Sequence, residues 1–528
     1  MTTKQQRLTE ERQEVVELSA PTSRPEPMSG MVSAVGGPID ETIRIRDLHQ
    51  FEIKLHYPLS RESASTTYDL ECYIFIPHSL GMHRANYSKA KFYDDLHTHI
   101  RFKTPSISLT GIVAGQDSPL AKLEASAIPL QDGDHRADFG AFEYRLKLFS
   151  CILQSSLRDF VIFFGETAEP DDRSRLVQKY LRDVVAITDA YRALRARIFL
   201  PAVPSQARAI YAFGDEYVSL LVERNSYDVL GHLRDVDPSA LGKSQRKIMD
   251  LVAHEVHYRE DRRYPSIPTD ESDNEELIFR RNVLKKYMHT VLFLNTRTQE
   301  EGRVIEHGLF GLAAGASMLF ATVVLFLSQS FYGPLTLPVF LALVVGYMFK
   351  DRIKEMLRVY FSRKVSSVLF DHKTRVYSDP RHPIGQCRES VDFVDEAKVP
   401  DRIVKIRDRD HITEIESDWV SEDVLRYRKR IKLSSQAITS AYRDIDTDGI
   451  NDIMRLNVAE FTRRMGNPRK ELYVLEKDDY RRVKAERVYH LNMVLRYGGE
   501  DGVRYKRLRI VLNRRKIKRI ETVSVEEE

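Results

Sequence analysis

An uncharged window near the middle of the chain constrains its fold more than any other feature of the sequence. From Gly308 to Phe349, 42 consecutive residues include no Asp, Glu, Lys, Arg or His, although 30% of the 528 residues are charged. A bilayer core about 30 Å thick needs about 20 helical residues for each crossing. Gly333 and Pro334 interrupt the window near its middle, where a turn would join two helices. The window therefore predicts a transmembrane helical hairpin over residues 308–349.

Basic residues flank the window on both sides, and the turn contains none. These flanking residues are Arg280, Arg281, Lys285, Lys286, Arg297 and Arg303 before the window, and Lys350, Arg352, Lys354, Arg358, Arg363 and Lys364 after it. Because cytoplasmic flanks are rich in Lys and Arg, we expect a multi-pass membrane protein with two helices and both termini cytoplasmic. Two alternatives stay open: a hairpin buried in a large soluble core, and a second segment that dips into the bilayer and returns.

Small residues recur at helical spacing within the window. Gly311 and Gly315 form a GxxxG pattern on the first helix, and Ala342 and Gly346 form a matching notch on the second. Small residues let helices approach closely in lipid. We interpret these four as the packing contact between the two helices, with homo-oligomerisation as the alternative. The lack of ionisable groups in the window disfavours a transporter or an oligomeric pore.

The rest of the chain is expected to form polar domains on both sides of the hairpin. Phe51, Ile53 and Leu55 alternate with charged residues, as in a half-buried strand, whereas Phe142 and Leu146 share one helix face. The predicted fold class is α+β, an integral membrane protein whose hairpin separates an N-terminal β-rich plus helical region from a C-terminal β-rich domain. The predicted units are a disordered arm (1–40), a small β-rich domain (41–130), a helical domain (137–306), the hairpin (308–349), an amphipathic stalk helix (350–368) and the C-terminal β-rich domain (369–528).

A run of alternating carboxylates is the main candidate for a metal site. Asp444, Asp446, Asp448 and Asp452 lie in the sequence DIDTDGIND, which is similar to the opening of an EF-hand loop. The twelfth position is Arg455 instead of the bidentate Glu of an EF-hand. The hypothesis is therefore a looser Ca²⁺ or Mg²⁺ site, and the alternative is an acidic turn that caps a helix over residues 451–464.

A basic strip lies near the C-terminus. It has nine positive charges in sixteen residues and no acidic residue, although the whole chain carries only a formal +4. Its members are Arg504, Lys506, Arg507, Arg509, Arg514, Arg515, Lys516, Lys518 and Arg519. In a domain tethered beside a membrane, anionic lipid headgroups are the candidate partner. A solvated strand face that contacts water or an acidic protein is the alternative, and nucleic acid is the least favoured partner.

The sequence contains no complete catalytic motif and does not decide whether the protein is an enzyme. The leading hypothesis is a membrane-anchored scaffold, sensor or assembly protein of the cytoplasmic face, without its own catalysis. One rival hypothesis is a membrane-anchored enzyme, metal-dependent in one version, with ligands from distant parts of the chain. Another is a pore formed when several hairpins associate.

Overall fold

A computed structural model describes most of the chain. The described residues are 40–60, 63–131, 135–167, 169–234, 242–270, 273–334, 336–366, 370–379, 382–408, 422–441, 449–477, 479–499, 502–523 and 525. The chain is mixed α+β, which confirms that part of the fold-class prediction. The predicted disordered arm lies outside the described residues, except for its last residue.

Fourteen strands occur in the described part of the chain. They are β1 (Asp40–Ile45), β2 (Gln50–Pro58), β3 (Ser65–Pro77), β4 (Leu96–Phe102), β5 (Asn295–Glu300), β6 (His372–Asp379), β7 (His382–Val394), β8 (Glu422–Ser434), β9 (Gly449–Asn457), β10 (Arg469–Glu476), β11 (Asp479–Glu486), β12 (Tyr489–Gly499), β13 (Gly502–Leu512) and β14 (Ile517–Val523).

The α-helices of the same residues fall mainly between β4 and β6. They are α1 (Lys89–Asp95), α2 (Leu109–Val113), α3 (Pro119–Ala127), α4 (His135–Glu166), α5 (Pro170–Ala193), α6 (Arg195–Ile198), α7 (Ser205–Arg234), α8 (Gly242–Asp261), α9 (Glu275–His289), α10 (Gly302–Tyr332), α11 (Leu337–Ser366), α12 (Asp401–Arg407), α13 (Ser435–Ala441) and α14 (Ala459–Arg463).

Strands from both sides of the uncharged window form the same sheets. A four-stranded sheet has the order β1-β2-β9-β4, and an eight-stranded sheet has the order β14-β13-β12-β3-β8-β7-β6-β5. Ile53 of β2 lies opposite Met454 of β9, and Leu70 of β3 lies opposite Lys429 of β8. The sequence prediction treated residues 41–130 and 369–528 as two β-rich domains, whereas their strands pair directly in the structure.

The main core lies between these two sheets, because alternate residues of each strand point to one side. Leu55 and Tyr57 of β2 and Ile74 of β3 are among its buried members. The opposite face of the larger sheet is also covered: Tyr73 and Phe75 pack there against Ile403 of α12 and its neighbours. The larger sheet is thus apolar on both faces where α12 covers it.

The helices from α2 to α9 share a separate core. Leu146 and Phe149 of α4 pack there with Tyr191 of α5 and Tyr211 of α7. Helix α7 also buries acidic side chains, and each is paired with an arginine from another helix: Glu216 with Arg280 at 2.6 Å is one example. Such pairing lets charges lie inside a helical core.

One predicted helix differs from the structure. Residues 451–464 were expected to form a helix, but Asn451 to Asn457 belong to β9, and only Ala459–Arg463 is helical. The reason is that β9 is a central strand buried on both faces, so its apolar residues show no simple alternation. The stalk helix predicted over residues 350–368, as a continuation of the second helix of the hairpin, lies in α11 as far as Ser366, since α11 runs without a break from Leu337 to Ser366.

Candidate membrane-contact site

The helical pair α10–α11 connects two strands that pair with each other. Strand β5 precedes α10, β6 follows α11, and the two strands pair antiparallel, with Asn295 opposite Tyr377 and Glu300 opposite His372. The backbone N–H of Glu301 donates to the carbonyl of Asp371 at 3.1 Å, and the side chains of Arg388 and Glu301 form an ion pair at 2.8 Å. Both ends of the hairpin are therefore held at one edge of the larger sheet.

Close packing of α10 and α11 depends on one of the four predicted small residues. Gly346 of α11 is buried, and a Cβ added there would lie 3.2 Å from a methyl group of Val324 on α10. Ala342 is half-buried. Gly311 and Gly315 are exposed, and an added Cβ at either would meet no atom within 4 Å. The GxxxG pattern therefore lies outside the contact within the hairpin, because that side of α10 faces away from α11.

The surface of the hairpin is apolar and exposed. Large side chains that are at least half exposed occur on both helices. They are Leu312, Met318, Leu319, Phe326, Leu327, Phe331 and Tyr332 on α10, and Leu337, Phe340, Leu341, Tyr347, Met348 and Phe349 on the first part of α11. Contiguous apolar surface of this kind marks a contact with a partner or with lipid.

Among the described residues, two helices are long and apolar enough to cross a membrane. One spans Phe139–Glu166 within α4 and is mostly buried in the helical core. The other spans Gly308–Tyr332 within α10 and is mostly exposed. The second helix of the predicted hairpin is not one of the two, because only 337–349 of α11 precedes Lys350.

Hydroxyl groups on the hairpin donate hydrogen bonds to backbone carbonyls. Ser317 donates to Ala314 at 2.9 Å, Thr322 donates to Met318 at 2.9 Å, and Thr336 donates to Gly333 at 3.4 Å. A hydroxyl paired in this way can lie in an apolar environment at little cost. These three hydroxyl groups therefore do not conflict with a lipid surrounding.

Of the four carboxylates of the acidic run, the structure describes only Asp452. Asp444, Asp446 and Asp448 lie outside the described residues. Asp452 lies in β9, fully buried, and its carboxylate is 2.8 Å from the Lys429 ammonium. In the part of the chain that the structure covers, no group of three or more His, Cys, Asp or Glu side chains is arranged to hold a metal ion.

Lys429 is the centre of a buried ionic cluster that the sequence analysis missed. Its ammonium also lies 2.9 Å from the Glu389 carboxylate, which accepts a hydrogen bond from the Tyr427 hydroxyl at 2.9 Å. A signal was present in the sequence, since Lys429 occupies an inward position between Tyr427 and Ile431 on an alternating strand.

The cluster shifts the pKa values of its members in different directions. Burial raises the pKa of Asp452, and the attraction of Lys429 offsets this only partly. Burial also acts on Glu389, but Lys429 and Tyr427 outweigh it and hold the Glu389 pKa below its ordinary value. At Lys429, burial is outweighed by the neighbouring carboxylates, so its pKa lies above the ordinary value. The Lys429 ammonium therefore stays charged and provides the positive partner of both carboxylates.

The basic strip is divided between two faces of the sheet, and at least four of its nine members form ion pairs. Lys506 contacts Glu41 at 2.9 Å, and Arg509 and Arg519 both contact Glu521, at 3.4 and 2.6 Å. Lys518 pairs with Glu486, and Arg507 is buried. Arg504, Arg514 and Arg515 are exposed, while Lys516 is half-buried. The nine charges therefore do not form one basic surface.

A two-stranded ribbon is a second exposed apolar feature. Strands β10 and β11 form a sheet of their own, with Leu472 opposite Val483 and Leu475 opposite Tyr480. Every residue of β10 is exposed, and Leu475 reaches 81%. The rings of Tyr473 and Tyr480 meet edge to face at 5.3 Å. An isolated two-stranded ribbon is only marginally stable in water, so a contact with another molecule would stabilise it.

Comparisons with protein-family models, with curated proteins and with solved structures find no match to this chain.

Proposed function

We propose that this protein is a membrane-anchored scaffold or assembly protein whose anchor is the α10–α11 hairpin. The observation that carries the proposal is the exposed, uncharged surface of the hairpin, which emerges from the paired strands β5 and β6. Water is a poor solvent for such a surface, while the acyl chains of a bilayer match it. The basic residues on both flanks favour the cytoplasmic side for the body.

The pairing of β5 with β6 supports an anchor that begins and ends on one side of the membrane. An odd number of crossings would place these strands on opposite sides of the bilayer, which their hydrogen bonds forbid. The shared sheets support the same arrangement, because β3 pairs with both β8 and β12. The body on that side is thus one continuous β structure with a helical unit inserted in it.

The assembly part of the proposal depends on the β10–β11 ribbon. Its apolar side chains are exposed on both faces of the ribbon, and each strand has an outer edge on which another strand could pair. A protein partner at the ribbon and a bilayer at the hairpin would make the chain a link between the two. Purification from native membranes, followed by identification of cross-linked proteins, tests this part against the Leu475→Arg variant, which should lose the partner.

The anchor is tested by flotation of the full-length chain, synthesised in the presence of liposomes and washed with alkaline carbonate. We expect the wild-type chain to float with the vesicles. Phe326→Arg combined with Leu341→Arg places two charges on exposed hairpin positions, and each charge costs about 2.5–3.5 kcal/mol at the centre of a membrane helix. We therefore expect this variant to stay in the soluble fraction.

The matched control places two charges on the ribbon, as Tyr473→Arg combined with Leu475→Arg. Those positions are also more than half exposed, so the control adds the same charge on exposed apolar side chains without touching the hairpin. It should float as the wild type does. Recovery of the wild-type chain in the soluble fraction would contradict the proposed anchor.

A further inference from the structure

We infer that the α10–α11 hairpin enters the bilayer from one face as a re-entrant wedge and returns without crossing it. Lys350 marks the depth at which α11 leaves the apolar core. This inference rests on the proposed membrane anchoring and adds to it the depth and topology of the anchor. The sequence alone favoured two full crossings, since the uncharged window has the length for them.

Two contacts show how the helices lie beside each other. Gly346 of α11 packs on Val324 of α10, and the Arg358 guanidinium lies 4.9 Å from the centre of the Phe310 ring. From the first contact to the second, the position on α11 rises by 12 residues and the position on α10 falls by 14. The two helices are therefore antiparallel, and their register changes little along the pair. By the same register, Lys350 of α11 lies beside the turn of α10 that contains Leu319 and Phe320.

The register divides the hairpin into two halves of different chemistry. Toward the tip, both helices are uncharged: residues 320–332 on α10 and 337–349 on α11. Toward the base, α10 is still apolar, but α11 carries several charges, and these side chains are half-buried or exposed. They are Lys350, Asp351, Arg352, Lys354, Glu355 and Arg358. The continuous window in the sequence therefore does not correspond to a continuous apolar layer in the hairpin.

The uncharged half is too short for a crossing. Thirteen residues at about 1.5 Å each reach about 20 Å, whereas the hydrocarbon core is about 30 Å thick. A full crossing by α11 would draw Asp351, Arg352, Lys354 and Glu355 into the core, and charges of both signs are strongly disfavoured there. The wedge avoids this because its charges stay at the near surface.

The base of the hairpin has side chains that fit the membrane surface from which the wedge enters. Leu312 and Leu319 of α10 are each 66% exposed, and they lie on the helix that runs beside the charged half of α11. A pair with one apolar helix and one charged helix fits the boundary between headgroups and acyl chains. The wedge would thus enter obliquely, with α10 deeper than α11 at the base.

Hydrogen bonds at the tip pair polar backbone groups of the turn. The N–H of Gly333 donates to the carbonyl of Gln329 at 3.0 Å, and the N–H of Phe340 donates to the carbonyl of Thr336 at 3.1 Å. The Thr336 hydroxyl also donates to the Gly333 carbonyl. These bonds satisfy part of the polar backbone at the turn, which lowers the cost of placing it among acyl chains.

The test uses the full-length chain synthesised beside sealed liposomes, so that the body stays outside. A cysteine is placed at the tip by Gln329→Cys, and the exposed base position Glu355→Cys is the matched control. The native thiols give little background, because Cys72, Cys151 and Cys387 are buried and burial raises the pKa values of Cys72 and Cys151 to about 12. The probe is a membrane-impermeant maleimide, either added outside or trapped in the lumen.

We expect the cysteine of Gln329→Cys to react with neither pool and to react fully after detergent is added. The cysteine of Glu355→Cys should react from outside. Reaction of the tip with the luminal probe would overturn the wedge in favour of a crossing, and reaction with the outside probe would show that the tip is not in the core. A chain whose tip reacts with the luminal probe still floats with the vesicles, so that outcome overturns the wedge alone, whereas failure of the anchoring proposal is loss of flotation itself.

A lengthened hairpin tests whether the charges set the depth. Replacing Lys350, Asp351, Arg352, Lys354 and Glu355 by Leu extends the uncharged part of α11 to Leu357, about 20 residues. In the Gln329→Cys background, this variant should cross the bilayer, so the tip should react with the luminal probe. A tip that stays unreactive in the lengthened variant would contradict the inference that Lys350 and its neighbours limit insertion.

Discussion

The space between the two sheets and the surface of the α10–α11 hairpin differ in which side chains are buried and which are exposed. Charged side chains are buried between the sheets, whereas apolar side chains are exposed on the hairpin. Between the sheets, Lys429, Glu389 and Asp452 are withdrawn from water, and each has an opposite charge within 3 Å. On the hairpin, apolar side chains such as Leu319 and Phe326 are exposed. The comparison shows two ways of placing side chains in an unfavourable environment. The ionic cluster contains its own opposite charges, whereas the exposed apolar side chains of the hairpin have no cover within the described chain and, under the proposed function, would be covered by lipid.

The largest expected effect comes from breaking the buried cluster. Lys429→Met leaves Glu389 and Asp452 buried without a positive partner, and removal of one member of a buried ion pair costs about 3–5 kcal/mol. We expect the midpoint of chemical denaturation of the full-length chain to fall accordingly. Asp452→Asn should cost less, because Lys429 keeps its 2.9 Å contact with Glu389. Equal stability of Lys429→Met and wild type would show that the cluster is not what holds β8 to β9 and β7.

The cluster also shows why the sheets could not be predicted from sequence. The alternation of β2, β3 and β8 is local, so these strands are visible in the sequence as apolar stripes. The pairing of Ile53 with Met454 joins residues about 400 positions apart, and nothing local specifies that partner. Asp452 was interpreted as part of an acidic loop because its neighbours are acidic, whereas its environment is determined by Lys429 on a different strand.

The hairpin was more predictable, but only in part. A run without charge needs no long-range contact to be recognised, so the two helices and their turn near Gly333 were expected correctly. The contact residues were not, because Gly311 and Gly346 look alike in sequence and only packing shows that Gly346 meets α10. The register between the helices likewise places the charges of α11 beside apolar residues of α10, which the order of the residues does not reveal.

A second prediction concerns the pH dependence of stability that a buried histidine causes. His56 of β2 is buried, and burial together with the nearby positive charges of Lys103 and Lys54 lowers its pKa to about 4. The unfolded chain, with a histidine pKa near 6.5, binds the proton more tightly. Stability is therefore complete above pH 6.5 and falls as the pH drops toward 4, by about 3 kcal/mol for this one group.

This contribution is measured by comparing wild type with His56→Gln over the same pH range. The variant cannot take up the proton, so its stability should fall less steeply between pH 6.5 and 4. The exposed His97, replaced by Gln in the same way, is the control for a change of residue type alone. Parallel stability curves for wild type and His56→Gln would mean that His56 is protonated in the folded protein, and that a buried charge here needs no counter-charge.

The smallest expected effect is on the residue next to Lys429. Arg430 follows Lys429 on β8, so its side chain points to the opposite face of the sheet. It forms an ion pair with Asp69 at 2.6 Å, but the two side chains are 52% and 46% exposed. Water and salt screen an exposed pair, which typically contributes about 0.2–1 kcal/mol. Arg430→Met should therefore change the denaturation midpoint only slightly, and the change should shrink further at high salt. Neighbouring positions on one strand would then differ several-fold in the cost of losing a positive charge, because only Lys429 leaves carboxylates behind that water cannot reach.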